Sequence, residues 1–210
     1  MIFGVLFGCG ADAPQQKERA RVFETSTTAT PKPDPSYQQY KEEQELLFAR
    51  FERADQETVR LQPTEFVELP TPVVQALERR GCTIPQPWMA KRPANVVKGE
   101  FTAPGQVDLA VLCSKARVSS ILVFRKGSIE DVAELDSAAD NIYLQGVGDG
   151  QVGYSRALGV ASPDHIRRHS NGDSSFDSLD HDGIENHFLE KASTIWYWRA
   201  GEWMELPGAD

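Results

Sequence analysis

Residues 97–127, VKGEFTAPGQVDLAVLCSKARVSSILVFRKG, contain three short apolar runs separated by turn residues. SSILVF is rich in the β-branched and aromatic residues that strands favour, and VKGEF contains one residue of each kind. DLAVLCS contains five consecutive apolar residues, which is typical of a buried strand. The segments TAPGQ and SKAR between them carry the Pro, Gly and Ser residues typical of turns. Strands that follow each other after such short connections pair antiparallel. This stretch therefore predicts the centre of an antiparallel β-sheet.

The rest of the C-terminal part continues this pattern. β-rich segments occur at residues 140–146 (DNIYLQG) and 151–160 (QVGYSRALGV), on either side of a glycine-rich turn. The closing segment, residues 192–206 (ASTIWYWRAGEWMEL), alternates in polarity and has a hairpin-like break at residues 199–201. We therefore expect a sheet of mainly sequential, antiparallel strands.

Two helices are predicted before these strands. The first covers residues 37–55, whose helical stripe consists of Tyr37, Tyr40, Gln44, Leu47, Phe48 and Phe51. The second begins with Thr71 as N-cap and Pro72 as first helical residue, and Gly81 stops it. Helices followed by strands predict an α+β fold. We expect a single domain over residues 37–210, in which two N-terminal helices pack on a twisted, mainly antiparallel β-sheet.

The composition limits both the size of the core and the class of partner. A chain of 210 residues with 40% hydrophobic residues can bury one core of ordinary size. Its formal net charge of -9 repels nucleic acid and anionic membrane surfaces. No nucleic-acid partner is therefore expected.

The N-terminal segment MIFGVLFGC resembles the end of a bacterial lipoprotein signal. An apolar stretch leads into Leu6, Gly8 and Cys9, which match the lipobox positions of that class. The resemblance implies a truncated signal in residues 1–9, lipidation of Cys9, and a membrane-anchored lipoprotein in the periplasm or at the cell surface. Residues 10–36, rich in Ala, Pro, Thr, Ser and charge, predict a disordered tether. The alternative is an apolar N-terminus with a chance cysteine.

Two cysteines, Cys82 and Cys113, remain if Cys9 carries the lipid. An even number of cysteines in an exported chain favours a disulfide. In a cytosolic chain the same two residues would be buried free thiols. The expectation of a disulfide therefore depends on export.

Residues 97–127 also resemble one unit of the FG-GAP or VCBS repeats of exported β-proteins. The matching elements are residues 99–101, 108–110 and 121–124. The resemblance implies strand geometry but not the calcium site, because the turn TAPGQVD contains one acidic residue, Asp108, and calcium takes six to eight oxygens.

Residues 179–206 resemble the closing unit of a family of small uncharacterised exported bacterial proteins. That resemblance implies an extracytoplasmic setting and no biochemical role.

Acidic residues and histidines crowd together at residues 177–187. The candidate oxygen ligands are Asp177, Asp180, Asp182 and Glu185. They offer three or four oxygens to calcium, without the spacing or the further ligands of an EF-hand. The alternative is a structural turn, in which Asp180 and Asp182 bond to the backbone around Gly183. The structural interpretation is favoured, so no cofactor is expected, with calcium as the alternative.

Histidines and tryptophans supply two further candidate groups. His165 and His169 would share a helix face and could bind zinc with a third ligand, although a solvated or capping role is favoured. Trp196 and Trp198 would share one face of a strand. There they could contact a protein or glycan partner, or cover the core.

These patterns favour a non-enzymatic binding or envelope-associated module outside the cytoplasm, with no catalytic residues assigned. The ligand is unknown, and the membrane is a partner through the lipid anchor only. Two alternatives remain open. One is an extracytoplasmic hydrolase that uses the Asp and His residues of 177–187, and the other is a calcium-stabilised, adhesion-like domain.

Overall fold

The computed structural model of the protein describes residues 34–209. The predicted segment 1–9 with Cys9, and residues 10–33 of the predicted tether, lie outside the described residues. Helices precede a run of antiparallel strands, so the predicted α+β class is confirmed. None of the helices within residues 34–209 combines the length and the apolar character that a bilayer crossing requires.

Three α-helices lie in the described part of the chain: α1 (Pro35–Glu57), α2 (Thr71–Arg80) and α3 (Pro163–His169). α1 begins two residues before its predicted start, where the Asp34 carboxylate accepts the N–H of Ser36. Ser162 caps α3 in the same way through the N–H of His165. α3 is an addition to the two predicted helices.

α2 ends where the sequence predicts. Gly81 adopts a φ of 75°, and its N–H bonds to the Glu78 carbonyl at 2.9 Å, so the chain leaves the helix there. At the other end the predicted cap is wrong by one residue. Pro70 occupies the N-cap position, because its carbonyl already accepts the first helical bond, from Val73 at 2.9 Å.

Twelve β-strands form within residues 34–209. They are β1 (Arg60–Leu61), β2 (Ile84–Pro85), β3 (Val96–Gly99), β4 (Asp108–Lys115), β5 (Val118–Phe124), β6 (Val132–Ala139), β7 (Leu144–Gly146), β8 (Val152–Tyr154), β9 (Arg156–Ala161), β10 (Gly183–Phe188), β11 (Ala192–Arg199) and β12 (Glu202–Pro207). Sheet I has the order β3-β4-β5-β6, and sheet II has the order β12-β11-β10-β9. β1 pairs with β2 and β7 with β8, and all of these pairings are antiparallel. The expected single sheet is therefore divided, because the β7–β8 hairpin separates the strands of sheet I from those of sheet II.

Sheets I and II pack face to face with a core between them. Successive strand residues point to opposite sides, so Ala110 and Leu112 of β4 face sheet II while Leu109 faces α2. α2 thus covers the outer face of sheet I. On the outer face of sheet II, Ile166 of α3 packs with Ile195 of β11. The order of layers is α2, sheet I, sheet II, α3.

α1 packs mainly against the β7–β8 hairpin and does not lie on the face of either large sheet. Ala54 is buried there with Tyr143, Leu144 and Tyr154. The prediction that two N-terminal helices pack on a sheet is therefore confirmed for α2. It is wrong for α1. The reason is that only the last turns of α1 meet the rest of the chain, and Phe48 is already 65% exposed.

A disulfide joins Cys82, just after α2, to Cys113 of β4. The Cα atoms are 5.0 Å apart, and 31 positions separate the two residues in the sequence. Next to it, Thr83 and Ser114 exchange backbone hydrogen bonds at 2.9 and 2.8 Å. The predicted disulfide is confirmed, and it ties α2 to sheet I.

Asn95 joins the neighbouring edges of sheets I and II. Its buried side chain donates to the Arg156 carbonyl at 3.2 Å and accepts the N–H of Leu158 at 2.8 Å. It also donates to the Pro85 carbonyl at 2.6 Å. One amide thus satisfies three buried backbone groups that have no strand partner at this edge.

Candidate functional site

Asp182, one of the four predicted metal ligands, lies at a contact between the two large sheets. Its carboxylate accepts the backbone N–H of Glu100 at 3.1 Å, and its own N–H donates to the Glu100 carbonyl at 3.0 Å. This pair of bonds resembles one step of antiparallel strand pairing between the residue after β3 and the residue before β10. One carboxylate oxygen of Asp182 is therefore engaged by the backbone.

Glu185 lies at the centre of a polar cluster on the outer face of sheet II. Its side chain is only 8% exposed, and its Oε1 accepts the hydroxyl of Ser193 at 2.7 Å. The same oxygen lies 3.3 Å from Nε2 of His165, which the first turn of α3 supplies. Its second oxygen lies 3.7 Å from Nε2 of His187. Three elements thus bring two imidazoles and a hydroxyl to one buried carboxylate.

The hydrogen bonds of this cluster do not prepare Ser193 to act as a nucleophile. Nucleophilic catalysis by a serine requires its hydroxyl to donate to a base such as imidazole. A serine hydroxyl has one proton, and that of Ser193 is donated to Glu185. His187 lies opposite Ser193 in the pairing of β10 with β11, but the serine and the two histidines each face the Glu185 carboxylate and are not hydrogen-bonded to one another.

His165 and His169 lie side by side on α3, as their four-residue spacing predicts. Their ring centroids are 4.6 Å apart. Nδ1 of His165 lies 3.3 Å from the Arg168 guanidinium, and its Nε2 faces Glu185. Both ring nitrogens of His165 therefore have protein partners, which supports the non-ligand role over zinc binding.

The remaining acidic candidates, Asp177 and Asp180, are exposed and lie apart from the Glu185 cluster. Asp177 follows a 3-10 turn, and its N–H bonds to the Ser174 carbonyl at 3.1 Å. The four candidate carboxylates are thus divided between a strand contact, a polar cluster and the surface. Across residues 34–209, no group of three or more His, Cys, Asp and Glu side chains is placed to hold a metal ion.

A small cleft of about 190 Å³ brings three of the singled-out residues together: Asp180, His181 and Trp198. The Trp198 ring meets Trp203 edge-on at 5.5 Å between centroids. The guanidinium of Arg125 lies 5.0 Å from the Trp198 ring centre. Trp198 is thus held between a second indole and a cation.

Trp196, the other member of the predicted aromatic face, packs toward sheet I. It contacts the core between the sheets, which includes Leu158 and Ile184. Its indole N–H is buried and has no hydrogen-bond partner in the part of the chain that the structure describes. Trp196 therefore contributes packing, and Trp198 is the member of the pair that lines a surface cleft.

A wider cleft, of about 480 Å³, lies between the end of α1, residues 86–93 and β8. Trp88 lines it and is 42% exposed. The charged side chains on its walls are Glu57, Glu65, Lys91 and Arg92. A volume of this size falls in the range of small-molecule sites. We call this feature the Trp88 cleft.

The backbone holds Trp88 across β8. The Trp88 N–H donates to the Tyr154 carbonyl at 2.7 Å. A Cβ on Gly153 would lie 2.6 Å from the Trp88 Cβ, so this close approach requires glycine. The segment that follows is fixed by Gln86, whose side chain accepts the N–H of Ala94 at 2.7 Å. Trp88 is therefore positioned by its surroundings before any ligand arrives.

The Trp88 cleft was not predicted from the sequence, because its walls come from three distant segments of the chain. One short segment nevertheless contained a signal for a binding site. An aromatic residue followed by Lys91 and Arg92 in a proline-bounded stretch, QPWMAKRP, combines a flat apolar surface with cations.

No family model, no curated protein and no solved structure matches the chain. The resemblances of residues 97–127 and 179–206 therefore remain predictions.

Tyr154 forms part of the cleft wall while its hydroxyl lies in the interior. Burial raises the pKa of Tyr154 far above its ordinary value, and the Asp140 carboxylate raises it further, while Arg156 acts in the opposite direction. The Tyr154 hydroxyl makes no hydrogen bond of normal geometry within residues 34–209. Burial likewise raises the pKa of Tyr143. The Tyr154 side chain beneath the cleft is therefore an uncharged phenol at physiological pH.

Proposed function

We propose that the protein is a non-enzymatic binding module of the bacterial cell envelope, anchored through a lipid on Cys9 in the periplasm or at the cell surface. The disulfide between Cys82 and Cys113 supports an oxidising compartment. The net charge of -9 supports partners other than nucleic acid. The membrane is a partner through the lipid alone.

The observation that carries the binding role is the Trp88 cleft. The half-exposed indole of Trp88 offers a flat apolar surface, and carboxylate and cationic side chains line the same cleft. A pyranose ring presents an apolar face and a rim of hydroxyls, so it matches both parts of this lining. The ligand class is therefore a short saccharide of the envelope, bound without covalent chemistry.

Calorimetric titration with N-acetylglucosamine oligomers tests this function. Trp88→Ala should weaken binding by about tenfold or more, because stacking area at an aromatic anchor is lost. Trp198→Ala is the matched control, since it removes the same side chain from the separate small cleft. The proposal fails if the native protein binds no saccharide, or if the two variants lose affinity equally.

Gly153→Ala provides a second variant that keeps the indole. The added methyl group would collide with the Trp88 Cβ and displace the ring. Binding should weaken while the protein stays folded, which circular dichroism checks. Unchanged affinity in a folded Gly153→Ala protein would show that the ring position does not matter.

The anchor is tested independently of the cleft. In cell fractionation, wild-type protein should be found with membranes, and Cys9→Ser should release it. Equal membrane association of both proteins would reject lipidation of Cys9 and leave the saccharide proposal unaffected.

A further inference from the structure

The N-terminal part of α1 carries an apolar stripe that the rest of the described chain does not cover. Tyr37, Tyr40 and Leu47 are 57%, 58% and 43% exposed, and Phe48 beside them is 65% exposed. Contiguous exposed apolar surface of this kind marks an interaction site more often than a free surface. Only the last part of the stripe, at Ala54, is buried against the chain itself.

The spacing of the stripe is that of a coiled-coil seam. Its positions are Tyr37, Tyr40, Gln44, Leu47, Phe51 and Ala54. They alternate between steps of three and four residues, which is the a/d pattern of paired helices. A stripe of this type needs a partner helix with the same periodicity, and α1 itself supplies one.

We infer that α1 pairs with α1 of a second copy of this chain, in antiparallel orientation. In one register, Gln44 packs against Leu47 of the second copy, and Tyr40 packs against the part of Phe51 that the second copy's own chain leaves uncovered. The twofold axis repeats each of these layers, so one patch meets itself. The part of the stripe from Tyr37 to Phe51 is separate from the Trp88 cleft, whose wall on α1 begins at Ala54, and the inference does not depend on the proposed function.

Charge complementarity at the flanking positions selects this register. Glu43 and Arg50 both occupy the position directly before an a residue, and in an antiparallel pair these positions face each other. Glu43 then lies opposite Arg50 of the second copy, twice per dimer. On the other flank, Lys41 faces the exposed ring of Phe48 of the second copy, a favourable contact for a cation.

The attachment of α1 to its own chain favours the antiparallel arrangement. Ala54 and Phe51 pack with Tyr143, Leu144 and Tyr154. The rest of each copy, which we call its body, therefore lies at the C-terminal end of α1. In a parallel pair both bodies would meet at the same end. Antiparallel helices place the bodies at opposite ends and leave the exposed turns to overlap.

Sedimentation equilibrium of the full chain over about 1 to 200 µM tests the inference, because dimerisation follows mass action. The native chain should show a monomer–dimer equilibrium in this range. Glu43→Arg and Arg50→Glu should each weaken the dimer by about tenfold or more, since each puts like charges opposite one another. The double variant with both changes should recover affinity close to that of the native chain.

Glu42→Arg is the matched control, because it makes the same charge change one position away, on the side of the helix opposite the seam. It should leave the equilibrium unchanged. A native chain that is monomeric at every concentration overturns the inference. So does a Glu42→Arg effect equal to that of Glu43→Arg, or a double variant no better than the single ones.

Discussion

The buried guanidinium of Arg156 pairs with the carboxylate of Asp136 at 2.8 Å and thereby joins sheet II to sheet I. All five N–H donors of the guanidinium are used. The other acceptors are the Asn186 side chain at 3.0 Å, the Ser119 carbonyl and hydroxyl at 2.9 Å each, and the Asp136 carbonyl at 2.9 Å. The ring of Tyr143 lies 4.5 Å from the guanidinium carbon. A complete set of acceptors is what makes a buried cation tolerable.

Loss of Arg156 is expected to destabilise the fold strongly. Arg156→Met removes the cation that pairs with Asp136, leaves its carboxylate with only the Asn186 amide and the Tyr143 hydroxyl as donors, and should cost about 3–5 kcal/mol in the free energy of unfolding. Urea denaturation measures this cost. Arg79→Met, at an exposed position of α2, should stay within about 0.5 kcal/mol of the native chain. Comparable losses in both variants would contradict the assigned role.

Reduction of the disulfide between Cys82 and Cys113 is expected to lower stability. A bridge that closes a loop of 31 positions restricts the unfolded chain, and the expected loss is about 3–4 kcal/mol. Urea denaturation with and without dithiothreitol measures it. A Cys82→Ala/Cys113→Ala protein should be insensitive to the reductant. A native chain that is equally insensitive would show that the bridge does not stabilise the fold.

The elements predicted correctly from the sequence are those with strong local signals. α2 carries a stop glycine at Gly81, β4 contains a run of five apolar residues from Leu109 to Cys113, and β5 is dense in β-branched residues. β6 (VAELDSAA) escaped prediction, because its Ala, Glu and Asp residues have weak β-propensity and Asp136 takes a φ of 47°. β6 is held as a strand by its pairing with β5 and not by the β-propensity of its own residues.

The division into two sheets and the position of the candidate site depend on non-local contacts. The continuous apolar runs of β4 and β5 are typical of strands buried on both faces, but they do not show which elements cover each face, so the division into two sheets was not predicted. Asp182 and Glu185 are three positions apart, yet one bonds to Glu100 and the other to Ser193. Trp88 acquires its role only through Gly153, far along the chain.

Alkaline pH is expected to unfold the protein through Tyr154. Burial raises the pKa of this phenol in the folded state above its unfolded value of 10.0. The stabilisation is therefore complete below pH 10 and is lost as the pH rises above it, by about 1.4 kcal/mol per pH unit. Tyr154→Phe removes this loss. In urea denaturation the variant should be at least as stable as the native chain at pH 7, because the buried hydroxyl that it removes has no hydrogen-bond partner within residues 34–209. Its advantage over the native chain should grow as the pH rises above 10. A parallel decline of both proteins above pH 10 would contradict the assignment.

Asp182 is expected to matter for stability more than its neighbour Asp180. Asp182→Ala removes the acceptor of the Glu100 N–H at the contact between the sheets, which should cost about 1–2 kcal/mol. Asp182→Asn keeps an oxygen in place and should recover most of that loss. Asp180→Ala, at an exposed position, should stay within about 0.5 kcal/mol. Thermal and urea denaturation compare the three variants, and a cost at Asp180 equal to that at Asp182 would argue for a shared ligand role.

Calcium is expected to leave the melting temperature unchanged. A ligand that binds only the folded state raises this temperature, and calcium needs six to eight oxygens to bind. One oxygen of Asp182 accepts from the Glu100 N–H, and Oε1 of Glu185 accepts from Ser193, while Asp177 and Asp180 lie apart at the surface. Differential scanning calorimetry in calcium chloride and then in EDTA measures the response. A rise of several degrees in calcium that EDTA reverses, and that Asp182→Ala abolishes, would establish the adhesion-like alternative in place of a purely structural turn.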